Sequence, residues 1–221
     1  MTTTINTTTT TATAITTIPR GKVYVASMNM RGEWAGKTDP NSITVNVTSA
    51  QAKASKNRRD FSPMTHIEGE SGYHGYWNFE SRWQAGKIFE GIDEAVTKAW
   101  WKAQNEPKRR YPKGKGKKIL YARFEGHEDK GNMDYITARK EVYVKEYLAL
   151  IRNREMIQYY KKMLDEGKSI TLYDFDVPRM PDRSVMCLEL TRELYDEKIN
   201  YLDQPFGHVY VVGGVLTGLL E

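Results

Sequence analysis

The sequence predicts an α+β fold: one helix-dominated domain with a small β-sheet. Three observations carry this. Residues Tyr76–Trp101 place apolar side chains at helical spacing. Asn132–Glu166 does so over a second long block, and Gly167 supplies its stop. KVYVASM from Lys22, ITVNVTSA from Ile43 and SITLYDFDV from Ser169 read as strands, from their alternation and β-branched residues.

A chain of 221 residues suits one domain and is long enough for a real core. The lone Cys187 excludes an internal disulfide and a Cys-rich zinc site. Its apolar setting, VMCLEL, predicts a buried thiol. The net charge of +5 is mildly basic, compatible with a phosphate-bearing ligand or nucleic acid and diagnostic of neither. Fourteen tyrosines and five tryptophans favour a folded protein. Residues 1–18 are threonine-rich, with neither a basic start nor a continuous apolar run, so they read as a flexible tail rather than a secretory signal. The domain is expected over 19–221, in the cytoplasm. No stretch is long and apolar enough to span a membrane.

Taken in order, the first two strands are expected to pair as a hairpin across a turn-rich loop, with Ile43, Val45 and Val47 on one face. Lys53, Lys56, Arg58 and Arg59 then gather near Phe61 and Ser62, either as a phosphate-holding cluster or as a solvated loop. His66 and His74 have no second ligand at metal spacing, so no metal is expected.

Tyr76–Trp101 is expected to be a single helix. Ala85, Phe89, Ile92, Val96 and Trp100 form its core stripe, while Glu80, Trp83, Gln84 and Lys87 share another strip. An indole on that strip suits a pocket that stacks a ring, or a half-buried rim. The next stretch carries Lys108, Arg109, Arg110, Lys113, Lys115, Lys117 and Lys118 around one tyrosine. Proline and glycine forbid a helix there, leaving either a nucleic-acid contact or a mobile surface loop.

ILYARFEG reads as a short strand, and the second helical block turns Ile136, Tyr143, Tyr147, Leu150, Ile151, Tyr160 and Leu164 to the core. Asp174 and Asp176 fall on one strand face, for acid–base work or for water. Another helix follows within 180–202. The end, FGHVYVVGGVLTGLL, reads as a strand-like run followed by a glycine pair, placed either to admit a phosphate at a helix start or for close backbone packing.

The order of these pieces resembles the NADAR family, which includes YbiA-like N-glycosidases. Phe61 and Ser62 in DFSPM match the family's FS loop, and FESRWQAGKIF places Glu80, Trp83, Gln84 and Lys87 at the spacing of its S-E-x-x-x-Q-A-x-K helix. Asp134, Arg139, Lys140, Asn153 and Gly167 fall near places in a second family helix, and Gly207 and Gly214 in its glycine-rich end. The chain has Pro63 where the family has an asparagine, lacks the terminal Trp and Asn, and carries extra length at the basic loop.

The resemblance implies a YbiA-like fold and hydrolysis of an N-glycosidic bond in a ribosylated or ADP-ribosylated base or nucleotide, without metal or tightly bound cofactor. Glu80 and Lys87 would be catalytic. Trp83 would stack the base, Arg58, Arg59 or Arg139 would hold a phosphate, and Phe61, Ser62, Gln84, Asp134, Gly207 and Gly214 would line the site. The departures keep a non-catalytic ADP-ribose or nucleotide-binding module open. The basic loop, residues 108–118, keeps a nucleic-acid-binding protein open. The expected partner is therefore a nucleotide-like small molecule or ADP-ribosylated nucleic acid.

Overall fold

The computed structural model describes residues 18–27, 42–49, 55–69, 72–177 and 187–221. The threonine-rich tail through Thr17, most of the turn-rich loop between the first two strands, and Lys53 lie outside these residues. The described elements are β1 (Val23–Ser27), β2 (Ile43–Asn46), α1 (Lys56–Asp60), α2 (Phe79–Ala85), β3 (Lys87–Phe89), α3 (Glu94–Lys102), β4 (Ile119–Ala122), α4 (Tyr135–Ala138), α5 (Lys145–Ile151), α6 (Glu155–Asp165), β5 (Ile170–Asp174), β6 (Cys187–Glu189), α7 (Arg192–Asn200) and α8 (His208–Thr217). They form an α+β domain with a mixed four-stranded sheet and a separate two-stranded one. Among the described residues no helix is long and apolar enough to cross a membrane.

The larger sheet runs β2-β5-β1-β6. β5 lies between β1 and β2, parallel to both, with Val25 and Val45 each opposite Leu172. The expected β1–β2 hairpin therefore does not form. All of β1 and β5 is buried, as in a parallel sheet covered on both faces, where runs such as VYVAS and ITLYD need not alternate. β6 adds an antiparallel edge against β1. Cys187 sits at its start and is half-buried rather than fully buried.

α8 corrects the expected strand-like run. Every residue from His208 to Leu216 is buried, so the segment is apolar all round, and periodicity alone does not separate such a helix from a buried strand. It packs on β1, β5, α5 and α6. Its glycine pair lies inside the helix. A Cβ on Gly213 would come 2.4 Å from Leu190, and one on Gly214 would come 2.7 Å from Leu220, so close packing accounts for both.

Tyr76–Trp101 is not one helix. α2 ends at Gly86, where a Cβ would stand 2.2 Å from the Phe124 ring. The chain then runs as β3, which pairs antiparallel with β4, so ILYARFEG does supply a strand. Gly91 turns with φ of 69°, and Asp93 caps α3 by accepting from the Ala95 amide. The expected core stripe is broken accordingly: Val96 is 50% exposed, while Thr97 and Trp101 are buried.

The second block is also interrupted. Arg139–Val144 forms a wide π-turn between α4 and α5, and α6 starts afresh after Arg154. Tyr143, Tyr147, Ile151, Tyr160 and Leu164 are buried as expected.

A second, smaller core supports the two-stranded sheet. Tyr76, Ala85, Trp101 and Tyr111 form it, with Phe89, Ile92 and Trp100 against them. Tyr111 comes from the middle of the basic loop. The loop is therefore anchored, and it makes one short 3-10 turn over Pro112–Gly114.

Candidate functional site

α2 and the DFSPM loop are stitched together. Asn78 accepts from the Ser81 amide at 2.8 Å and donates to the Met64 carbonyl at 2.8 Å, and the Glu80 amide donates to the Pro63 carbonyl at 2.9 Å. Phe61 is wholly buried, and its carbonyl accepts from the Tyr147 hydroxyl. Ser62 accepts from the Met64 amide at 3.1 Å. These two residues shape the loop that holds the start of α2.

Glu80, in the first turn of α2, is half-buried. Gln84, one turn later, donates to its carboxylate at 2.7 Å and fixes its orientation. Trp83 is 7% exposed, stacked on Phe124 at 5.4 Å and met edge-on by Tyr143 at 5.0 Å. Lys87 opens β3, and its ammonium lies 5.9 Å from the Trp83 ring centre, within cation–π reach. Burial lowers the Lys87 pKa; Glu80 opposes that shift and Arg110 adds to it.

Two cavities meet at Lys87. One, of about 420 Å³, is basic and is lined by Gln84, Arg109, Arg110, Lys115 and the backbone of Gly114 and Gly116. The other, of about 370 Å³, is aromatic and is lined by Trp83, Tyr121, Asp134 and Tyr135, with Ile119 and Leu120 at its edge. Both are large enough for a small molecule. Tyr135 is 39% exposed, and the Arg139 guanidinium supports its ring from 4.2 Å.

The predicted residues thus divide. Gln84 lines the basic cavity, Trp83 the aromatic one and Lys87 both, brought together by a helix–strand junction rather than along one helix, while Glu80 lines neither and joins them through its hydrogen bond from Gln84. Asp134 joins the aromatic cavity, where it also caps α4 by accepting from the Thr137 amide and hydroxyl. Arg58, Arg59 and Arg139 line neither cavity. Arg58 donates to the carbonyls of Thr48 and Ser49. Arg139 is buried and donates to those of Ile199, Tyr201 and Gln204. Gly214 is packed inside α8, and Gly207 lies against Asp174 and Asp176. Lys140 is exposed on the π-turn, Asn153 lies in the break before α6, and Gly167 turns with φ of 82° after it. The sequence does not mark Tyr121 and Tyr135 as cavity wall, and it leaves Arg109 and Arg110 open between a nucleic-acid contact and a mobile surface loop. A tyrosine between two basic runs was the available signal, since burying it pins its neighbours.

No protein-family model, curated protein or solved structure matches this chain.

Asp174 and Asp176 serve different surroundings. β5 ends at Asp174, so Asp176 lies beyond it in a turn, half-buried, while Asp174 is buried beside His208. His208 Nε2 donates to the Val47 carbonyl, so Nδ1 faces Asp174 Oδ2 at 3.4 Å. That approach is attractive only when one of the two carries a proton. Burial is the main cause that raises the Asp174 pKa to about 6; His208 opposes it and Asp176 adds to it. A folded-state value above the unfolded one means that Asp174 destabilises the fold as pH rises from about 4 through 6. Asp174→Asn, which donates to Nδ1 without a titrating proton, is expected to gain roughly 1–3 kcal/mol over wild type between about pH 4.5 and pH 8. Urea unfolding at both pH values measures it; a pH-independent difference would contradict this reading.

Proposed function

We propose that this protein hydrolyses the N-glycosidic bond of a ribosylated or ADP-ribosylated base or nucleotide in the cleft around Lys87. The observation that carries the reading is the meeting of four groups: a fixed carboxylate, a partly desolvated lysine, a stacked indole and a second aromatic wall. The NADAR-like motif residues Glu80, Trp83, Gln84 and Lys87 are the ones that meet there, which supports the same reading.

The chemistry suits the groups. Breaking the bond between sugar C1′ and the base nitrogen develops positive charge on the sugar, and the electron pair leaves with the base. Lys87 delivers a proton to that nitrogen; its lowered pKa makes the ammonium a better acid. Glu80 stabilises the charged sugar and orients the water that adds at C1′. Trp83 and Tyr135 hold the ring of the leaving base. The added water loses one proton, which restores the Lys87 ammonium, so the products are the free sugar and the protonated base.

A non-catalytic binder of the same ligands is the second reading. It is favoured by Pro63 in the FS loop and by the missing terminal Trp and Asn. Mass-spectrometric incubation with NAD, ADP-ribose, ribosylaminopyrimidine phosphates and ADP-ribosylated DNA separates the two. Release of a free base or amine from one of them supports hydrolysis. A ligand-induced rise in melting temperature with no product supports the binder.

A further inference from the structure

The basic cavity is built by a loop with more positive charge than its surroundings use. Between Lys108 and Lys118 stand seven lysines and arginines. Lys108 pairs with Glu106. Arg109, Arg110, Lys113, Lys115, Lys117 and Lys118 form no ion pair with any described residue. Like charges this close repel one another, so a loop that only needed solubility would do better free to spread.

This loop is held instead. Tyr111 is buried in the second core, with Trp100 edge-on at 5.3 Å. Gly114 lies against Phe89 so closely that a Cβ would come 2.9 Å from the ring. The Glu90 amide donates to the Lys118 carbonyl at 2.9 Å, tying the end of the loop to the end of β3. The last two of these anchors fall on Phe89 and on Glu90 directly after it, at the end of the strand that begins with Lys87. The loop thus fixes Arg109, Arg110 and Lys115 around a cavity of about 420 Å³ whose far wall is Gln84 and Lys87. Lys113, Lys117 and Lys118 are exposed on the same loop outside it.

We infer that this cavity is an anion subsite for phosphoryl groups, with Arg109, Arg110 and Lys115 as its ligand-holding residues. It deepens the proposed function and rests on that reading of the cleft: a substrate with its base in the aromatic cavity and its reacting carbon at Lys87 places a phosphate-bearing arm here. Guanidinium groups grip phosphoryl oxygens in pairs, and Lys115 adds a point charge. The phosphoryl groups come either from a free nucleotide diphosphate or from a polynucleotide backbone, and the cations outside the cavity extend the track in the second case.

The test is direct binding, independent of turnover. Inorganic pyrophosphate is titrated calorimetrically at low salt into wild type, the Arg109→Ala/Arg110→Ala double variant and the Arg58→Ala/Arg59→Ala double variant. Saturable binding weakened at least about 10-fold only in the first variant is expected, each lost charge-assisted pair being worth on the order of a kcal/mol or more. A fluorescent single-stranded oligonucleotide then identifies the source. The slope of log affinity against log salt is expected near about −2 if three cavity cations engage it and near about −4 if six do. Arg109 and Arg110 are exposed, so folding of the variant is checked simply by its melting temperature. Absence of saturable binding of either probe, or equal binding by the Arg109→Ala/Arg110→Ala variant, overturns the subsite. Pyrophosphate binding without hydrolysis of any substrate would instead sink the glycosidase reading and leave the subsite standing.

Discussion

Glu146→Ala is expected to lower stability by about 3–5 kcal/mol at neutral pH, measured by urea unfolding. Glu146, on α5, accepts two hydrogen bonds from Arg82 at 2.8 and 2.7 Å, one from the Tyr73 hydroxyl at 3.2 Å, and meets His127 Nε2 at 2.9 Å. Arg82 is 3% exposed, on the face of α2 away from solvent. Removing the carboxylate leaves a buried guanidinium whose remaining hydrogen bond goes to the Glu125 carbonyl. Arg82→Met, which removes the charge as well and keeps the bulk, is expected to cost less. The pH dependence has a definite sign. Burial works against ionisation of Glu146, but Arg82, His127 and Tyr73 outweigh it and hold the pKa below the ordinary value. The pair therefore stabilises the fold above the unfolded carboxylate value, and this is lost as pH falls through the lower folded value. A loss under about 1 kcal/mol for Glu146→Ala would show that Arg82 finds water or another partner instead.

Lys87→Ala is expected to lower kcat by about 10²–10⁴-fold on the substrate that the protein cleaves, the range for losing a general acid. The alkaline side of the kcat/KM profile is expected to report Lys87, since the acid must be protonated in the free enzyme. Its neighbours then give opposite shifts. Arg110 lowers the Lys87 pKa, so Arg110→Gln moves the alkaline limb to higher pH. Glu80 raises it, so Glu80→Gln moves the limb to lower pH, besides reducing the rate. A profile that rises through the same range would mean that neutral Lys87 attacks C1′ as a nucleophile, the electron pair of the C1′–N bond leaving with the base. A limb that neither variant moves would take Lys87 out of the chemistry.

The strands and the main core side of the second helical block were legible because burial writes itself into local pattern. The pairing of β1 with β5 was not, because it joins segments far apart in the chain. The break after α2 was hidden for a related reason. Gly86 is compatible with a helix, and what ends α2 there is the Phe124 ring, brought in by the following strand. Helical spacing groups Glu80, Trp83, Gln84 and Lys87, but α2 ends before Lys87 and the turn into β3 positions the lysine. Arg58 and Arg139 were attractive phosphate ligands as residue types, but sequence shows no carbonyls, and carbonyls occupy both guanidiniums. Arg109 and Arg110 were legible as charge but not as cavity wall, since burial of Tyr111 among Tyr76, Ala85 and Trp101 decides that.

The most direct measurement is a crystal structure of the Lys87→Ala protein grown with ADP-ribose. The adenine or the ribosyl end is expected on Trp83 and Tyr135, a sugar carbon opposite the truncated Lys87 side chain within reach of Glu80, and the diphosphate turned toward Arg109 and Arg110. ADP-ribose seated elsewhere, such as beside Arg58 and Arg59, or an empty cleft at saturating ligand, would contradict it.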